Sequence, residues 1–153
     1  MKLNEKRVAI VTGSSSGIGF QTAITLARNG YSTYASMRNI EKSKIITEIA
    51  KKESLPLQVI LVDVNDSVTI KNAIDKIVKD VKRIDVLVNN AGYGLFGALE
   101  ELSIEEKKAQ FETNFFGVVR VTQAVLPTMR NQKGGGTIVN IRSVGGQVGA
   151  PIL

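Results

Sequence analysis

The chain has 153 residues and a net charge of +6; 43% of its residues are hydrophobic and 22% charged, as in a globular domain with one core. It has no cysteine and no histidine, which excludes disulfides, thiol nucleophiles, thiolate or imidazole metal ligands and a Ser-His-Asp triad. The lysines alternate with acidic residues and have few aromatic neighbours, which disfavours a nucleic-acid site. No apolar run approaches the roughly 20 residues of a membrane span, and the start lacks an apolar signal core. We therefore predict a cytoplasmic protein without membrane contact.

The first predicted elements are a buried parallel strand, Val8–Val11, a glycine-rich turn, and a helix over residues 20–28. The turn reads Thr12-Gly13-Ser14-Ser15-Ser16-Gly17-Ile18-Gly19. Glycines let the backbone approach a phosphate, the helix start favours negative charge, and the three serines add hydroxyl donors. The pattern predicts an anion cradle. A plain strand-to-helix turn that needs glycine for its dihedral angles is the alternative.

Strands and helices alternate along the rest of the chain. Strands are predicted over residues 31–36, 57–62, 84–88 and 137–141, and helices over residues 40–52, 67–81 and 103–129. Asp66 can cap the second of these helices, and Ser103 with Glu106 has the spacing of a capping box. The alternation predicts one α/β domain with a doubly wound parallel sheet in the order 3-2-1-4-5. Ligands of such sheets bind where strands 1 and 4 separate.

Four blocks, in this order, resemble the short-chain dehydrogenase/reductase family. They are the glycine turn, Asp63-Val64 after the third strand, Asn89-Asn90-Ala91-Gly92 after the fourth, and Asn140-Ile141-Arg142-Ser143 at the end of the fifth. The resemblance covers the whole chain and implies a single Rossmann-like NAD(P)-binding domain over residues 1–153. It implies an oxidoreductase that transfers hydride between a nicotinamide and a small-molecule alcohol or carbonyl. A non-catalytic dinucleotide-binding module is the alternative.

The resemblance also assigns roles to individual residues. Ser143 is implied to hold the substrate oxygen, with an ordinary turn serine as the alternative. Asn114 is implied to support a proton-relay water, or else it is a buried structural asparagine that needs a partner. Asp63 is implied to contact the adenine or merely to cap its turn, and Asn90 to bind the cofactor ribose. The implied cofactor-binding residues are Gly13, Ser15, Ser16, Gly17, Ile18, Gly19, Arg38, Asp63, Val64, Asn90, Ala91 and Gly92. Asn89 is expected to tie strand ends together.

The charge at the end of the second strand bears on the choice of cofactor. An acidic residue there would bind the ribose 2′-hydroxyl and select NAD, whereas an arginine accommodates a 2′-phosphate. This chain has Ser36-Met37-Arg38, without a carboxylate. Arg38 offers a bidentate fork for phosphate, so NADP is predicted over NAD. A surface arginine that opens the next helix is the alternative.

The family's Tyr-x-x-x-Lys motif is absent from the chain. None of Tyr31, Tyr34 and Tyr93 has a lysine four residues later. In the family the motif follows the serine at a distance that this chain does not reach. We therefore expect the N-terminal portion of a longer enzyme, without its C-terminal strands and inactive by itself. The fifth strand would then be an exposed edge that is prone to pairing. For the complete protein, the resemblance implies a homo-oligomer that uses the helix of Asn114.

Overall fold

The computed structural model describes residues 6–143, which form a five-stranded parallel sheet in the order β3-β2-β1-β4-β5. The strands are β1 (Val8–Val11), β2 (Ser32–Met37), β3 (Leu57–Leu61), β4 (Val86–Asn89) and β5 (Thr137–Asn140). The helices are α1 (Gly17–Arg28), α2 (Lys44–Lys52, after a 3₁₀ turn Ile40–Ser43), α3 (Ser67–Val81), α4 (Ile104–Phe111) and α5 (Gly117–Asn131). This confirms the predicted parallel sheet and its strand order.

Helices cover the sheet on both faces, because successive residues of a buried strand point to opposite sides. On one face, Val11 packs with Ile24 of α1 and Ile46 of α2. On the other face, Ile10 packs in the cluster that contains Ile77 of α3 and Val125 of α5. All four residues of β1 are buried, so the central strand contributes to both cores. The chain thus has the doubly wound, Rossmann-like architecture.

The two loops that leave β1 and β4 emerge side by side. Val11, the last residue of β1, is in register with both Ala35 of β2 and Val88 of β4. Because all strands are parallel, their carboxyl ends lie at one edge of the sheet. The glycine turn and residues 90–93 therefore face each other at the point where the strand order reverses, the usual ligand position in such sheets.

The connection between β4 and β5 is one long helical stretch, but it is not regular. Ser103 and Glu106 form the predicted capping box at the start of α4. Between α4 and α5, residues Glu112–Phe116 form a π-helical segment, here called the π-turn. The prediction of a single uninterrupted helix is therefore wrong at the π-turn. Helical periodicity does not reveal one extra residue in a turn.

Two amide side chains hold the chain at the two ends of β4. Before the strand, Gln132 accepts the N–H of Ile84 at 2.9 Å and donates to its carbonyl at 2.8 Å. After the strand, Asn114 accepts the N–H of Tyr93 at 3.0 Å and donates to its carbonyl at 2.8 Å. Each amide thus forms the pair of bonds that a neighbouring strand would form.

Within residues 6–143, β5 pairs with β4 alone and is an edge of the sheet. Val139 is 39% exposed and Ile141 42% exposed, which agrees with the predicted apolar edge. None of the helices in that range is long and apolar enough to cross a membrane.

Candidate functional site

Thr12 joins the glycine turn to the loop after β4. Its buried hydroxyl oxygen accepts the backbone N–H of Asn90 at 2.9 Å and that of Ala91 at 3.0 Å. In return, the Asn90 side-chain amide donates to the carbonyls of Thr12 at 2.9 Å and Gly13 at 3.2 Å. The two loops are therefore fixed relative to each other. No separate role was predicted for Thr12, although a hydroxyl residue between a buried strand and a glycine turn is a usable signal.

The same bonds bear on the role predicted for Asn90. Its amide nitrogen is directed at the glycine turn and its backbone N–H is bonded to Thr12, which leaves the side-chain oxygen for the predicted ribose contact. Asn89 joins strand ends as expected, because its amide donates to Asn140 at 2.8 Å and to Thr122 at 3.1 Å.

Glycine is required at three positions of the turn. Gly13 and Gly17 have φ angles of +67° and +59°, in the left-handed region that favours glycine. A Cβ on Gly19 would lie 2.3 Å from the Asn90 amide nitrogen and 2.5 Å from the Gly13 carbonyl oxygen. The glycines thus meet the needs of a tight turn. The same turn leaves open space above Gly17, where a Cβ would meet nothing within 4 Å. A turn that needs glycine for its backbone angles and a turn that binds an anion are therefore compatible interpretations of these residues.

The serines of the turn differ in what they face. Ser14 is buried, with its hydroxyl donating to the carbonyl of Val11 at 2.8 Å, so the expectation of three hydroxyl donors is wrong for Ser14. Ser15 is half-buried, and Ser16 is exposed. Ser16 is the N-cap of α1 in extended conformation, and its side chain makes no capping bond. The amino end of α1, with the 65% exposed Ile18 beside it, is therefore open to solvent.

The loop after β3 is ordered by Asp63. One carboxylate oxygen of Asp63 accepts the N–H of Asn65 at 2.9 Å, and the Asp63 N–H donates to Thr69 at 3.0 Å. Asp63 therefore does cap its turn, but its second carboxylate oxygen accepts no hydrogen bond within the described range. Val64, the next residue, is buried. One oxygen thus orders the loop while the other is available to a ligand.

Arg38 lies exposed directly after β2, at the same edge as the glycine turn. The two segments touch, because the N–H of Ser14 donates to the carbonyl of Ser36 at 2.9 Å. Among residues 6–143, no hydrogen bond or ion pair engages the Arg38 side chain. The guanidinium is therefore available to an anion at this edge.

Asn114 and Ser143 lie on the other side of the glycine turn. Asn114 is in the π-turn and is exposed, not buried, and its partner is the backbone of Tyr93. Gly92 lies against it, since a Cβ there would be 3.0 Å from the Asn114 amide oxygen. Ser143 is exposed three residues beyond β5, which is in register with β4. The predicted residues thus come from loops, from the start of α1 and from the π-turn at a single sheet edge.

The groups with shifted pKa values lie elsewhere. Burial works to raise the pKa of Asp85, but bonds from Arg83 and the N–H of Val8 hold it below its ordinary value. Burial, and then the charge of Asp80, raise the pKa of Tyr34. Asp85 binds the amino end of β1, opposite the candidate site. Within the described part of the chain, no three acidic side chains group as metal ligands do.

Known proteins resemble this chain in sequence along most of its length. A family model described as short chain dehydrogenase matches residues 7–153. The chain is 40% identical over 147 residues to 3-ketodihydrosphingosine reductase of Bacteroides thetaiotaomicron. The aligned region covers 96% of this chain and 51% of the relative. It is 36% identical over 152 residues to human 17-beta-hydroxysteroid dehydrogenase type 1, covering 95% of this chain and 45% of the relative.

Solved structures give the same fold. A gluconate 5-dehydrogenase from Burkholderia cenocepacia in complex with NADP and tartrate matches with a TM-score of 0.86 and 34% identity, covering 95% of this chain and 56% of that one. An actinorhodin polyketide ketoreductase with NADPH matches with a TM-score of 0.89 and 34% identity. The match covers 98% of this chain and 58% of that one. The chain spans about half the length of the curated relatives that it matches.

Proposed function

Because this chain belongs to the short-chain dehydrogenase family, a family of nicotinamide-dependent oxidoreductases, we propose that it binds NADP(H) at the carboxyl edge of its sheet. Residues 1–153 are proposed to form one dinucleotide-binding domain. The observation that carries the proposal is the open start of α1, where Ser16 makes no capping bond, beside Arg38, whose side chain has no partner among residues 6–143. The amino end of a helix favours the binding of one phosphate group, and an arginine guanidinium favours the binding of a second. NADP has both a pyrophosphate and a 2′-phosphate.

The remaining contacts follow from the loops. The pyrophosphate is assigned to the turn of Gly13, Ser15, Ser16, Gly17, Ile18 and Gly19. The unused carboxylate oxygen of Asp63 is suited to the exocyclic amine of adenine, and the Val64 N–H lies next to it. Asn90, Ala91 and Gly92 form the wall toward the nicotinamide ribose. Thr12 takes part by holding that wall against the turn.

The chemistry proposed is hydride transfer to or from a small-molecule alcohol or carbonyl. When bound, the nicotinamide supplies or accepts the hydride. The Ser143 hydroxyl would donate to the substrate oxygen and stabilise the charge that develops there. Asn114, whose side chain is bonded to Tyr93, would order a water through its backbone. The 153 residues contain no Tyr-x-x-x-Lys pair, so we propose that they bind the dinucleotide without turnover.

The test compares NADPH and NADH binding by titration calorimetry. Arg38→Asp should weaken NADPH binding at least tenfold, because a charge-assisted bidentate bond contributes about 1.5–3 kcal/mol. NADH binding should not weaken. Arg130→Asp, an exposed arginine at the end of α5, is the matched control for charge. Equal NADPH affinity in wild type and Arg38→Asp would contradict the role of Arg38.

A second candidate, a dinucleotide-binding module without catalysis, is favoured by the absence of the proton donor from these residues. Because both candidates predict no turnover by residues 1–153, a carbonyl-reductase assay of the complete protein is needed to separate them: oxidation of NADPH supports the oxidoreductase, and binding of NADPH without oxidation supports the module. Family-like oxidation of NADPH by residues 1–153 would contradict the proposed lack of turnover.

The complete protein is proposed to be a homo-oligomer. Large apolar side chains are exposed along α4, the π-turn and α5: Phe111 at 64%, Phe115 at 54%, Phe116 at 48% and Val119 at 36%. Such a patch is typical of a protein interface. Analytical ultracentrifugation of Phe115→Glu should give a smaller species than wild type.

A further inference from the structure

The π-turn contacts two loops of the proposed site that are far apart in the sequence. On one side, Asn114 bonds the backbone of Tyr93 in both directions. On the other side, the preceding residue, Thr113, accepts a hydrogen bond from the side-chain amide of Asn65 at 2.9 Å. Asn65 follows Val64 and is itself held by Asp63. Two consecutive residues of the π-turn thus hold the loop of residues 63–66 and the loop of residues 90–93.

The start of α5 also presses on the first of these loops. A Cβ on Gly117 would lie 2.7 Å from Cγ2 of Val64, so the close approach exists only because residue 117 is glycine. Both residues are buried. The side chain of Val64 therefore packs directly against the first residue of the helix that follows the π-turn.

A third link crosses the π-turn itself. Arg120 forms an ion pair with Glu112, and its other terminal nitrogen donates to the carbonyl of Val64 at 3.5 Å. In a regular α-helix, residues eight apart differ by about 80° around the axis. The extra residue of a π-helical turn places them about 20° apart, as if they were seven apart. The π-turn is what brings Glu112 and Arg120 onto one face.

From these three links we propose that Thr113 and Arg120 are positioning residues that couple the loop of residues 63–66 to the loop of residues 90–93 through the π-turn. The coupling rests on the proposed function for what the loops bind, which is the adenine on one side and the nicotinamide ribose on the other. A whole dinucleotide has to contact both loops at a fixed spacing, whereas half of one contacts a single loop. Loosening this link therefore weakens the binding of the whole dinucleotide more than the binding of a fragment.

Hydrogen exchange of the Tyr93 amide tests the coupling without a ligand, because that N–H donates to Asn114. Asn65→Ala and Thr113→Val should each speed its exchange about fivefold, the effect of one lost hydrogen bond. Asn39→Ala is the matched control, since Asn39 is likewise an exposed asparagine after a strand at this sheet edge, but its side chain accepts the N–H of Glu41. Unchanged exchange at Tyr93 in both variants would overturn the proposal.

Binding gives the second measurement. Asn65→Ala and Thr113→Val should weaken NADPH binding about fivefold but change the affinity for 2′,5′-ADP less than twofold. Thr128→Val, a half-buried threonine in α5, controls for the substitution itself. Equal losses for NADPH and 2′,5′-ADP would overturn the coupling, because a merely local contact predicts them. If Tyr93 exchange responds while wild type binds no NADPH, the coupling stands and the dinucleotide assignment fails.

Discussion

Replacing Thr12 by valine removes the hydroxyl that joins the two central loops and leaves the shape of the side chain unchanged. Valine cannot accept the N–H groups of Asn90 and Ala91, which now bond the Thr12 oxygen. Thr12 is only 2% exposed, so water does not reach that position readily. A buried donor without a partner costs about 1–3 kcal/mol. Because Asn90 and Ala91 are half-buried, we expect a total loss of about 2–4 kcal/mol in the free energy of unfolding.

The assay is urea unfolding followed by circular dichroism, with Thr12→Ser as the control. Serine keeps the hydroxyl and loses one methyl group, which costs about 1 kcal/mol. Thr12→Val should therefore unfold at a lower urea concentration than Thr12→Ser, with a similar dependence on denaturant. A valine variant as stable as the serine variant would refute the reasoning, since the two N–H groups would then have found other acceptors.

Three further variants test other parts of the structure. Ser36→Ala should raise the melting temperature by about 3 °C, because the buried Ser36 hydroxyl has no partner within the described residues; a lower value would contradict this. Asp85→Asn should cost about 2 kcal/mol at neutral pH. Since the pKa of Asp85 is lowered in the folded state, that contribution is lost as the pH falls below about 4. A difference in stability between wild type and Asp85→Asn that persists in acid would contradict this. Val139→Lys should reduce self-association in sedimentation velocity, and an unchanged sedimentation coefficient would argue against pairing through β5.

The sheet could be predicted because its central strand is apolar on both faces and is followed by a glycine-rich turn. Val8–Val11 has no polar side, which a strand tolerates only between two covered faces. The loops at its carboxyl end then had to carry the ligand-facing residues. The burial of the edge strand β3 is less evident from its sequence, since all its residues except Gln58 are apolar while Leu61 is 41% exposed.

The details of the site could not be read in the same way, because they depend on contacts between distant segments. Nothing local distinguishes Ser14, which bonds the carbonyl of Val11, from the exposed Ser16 two residues later. Nor does the helical pattern reveal the π-turn, which turns Asn114 toward Tyr93 instead of burying it. The partner of Thr12 lies 78 residues further along the chain.

The side-chain amides of Asn114 and Gln132 bond the chain at the two ends of β4, so the length of the helical stretch between them has to fit the length of that strand. From Asn114 to Gln132 the helix rises roughly 27 Å, at about 1.5 Å per residue. The residues from Ile84 to Tyr93 include the four-residue strand β4 and the loop after it, and they can span at most roughly 30 Å at about 3.3 Å per residue. The helical length lies within that span, and all four bonds to the backbone of Ile84 and Tyr93 form in the structure. Inserting one residue in α5 would lengthen the helical stretch and rotate one of the two amides by about 100° away from its backbone partner. The length of α5 is therefore constrained in a way that the length of a surface loop is not.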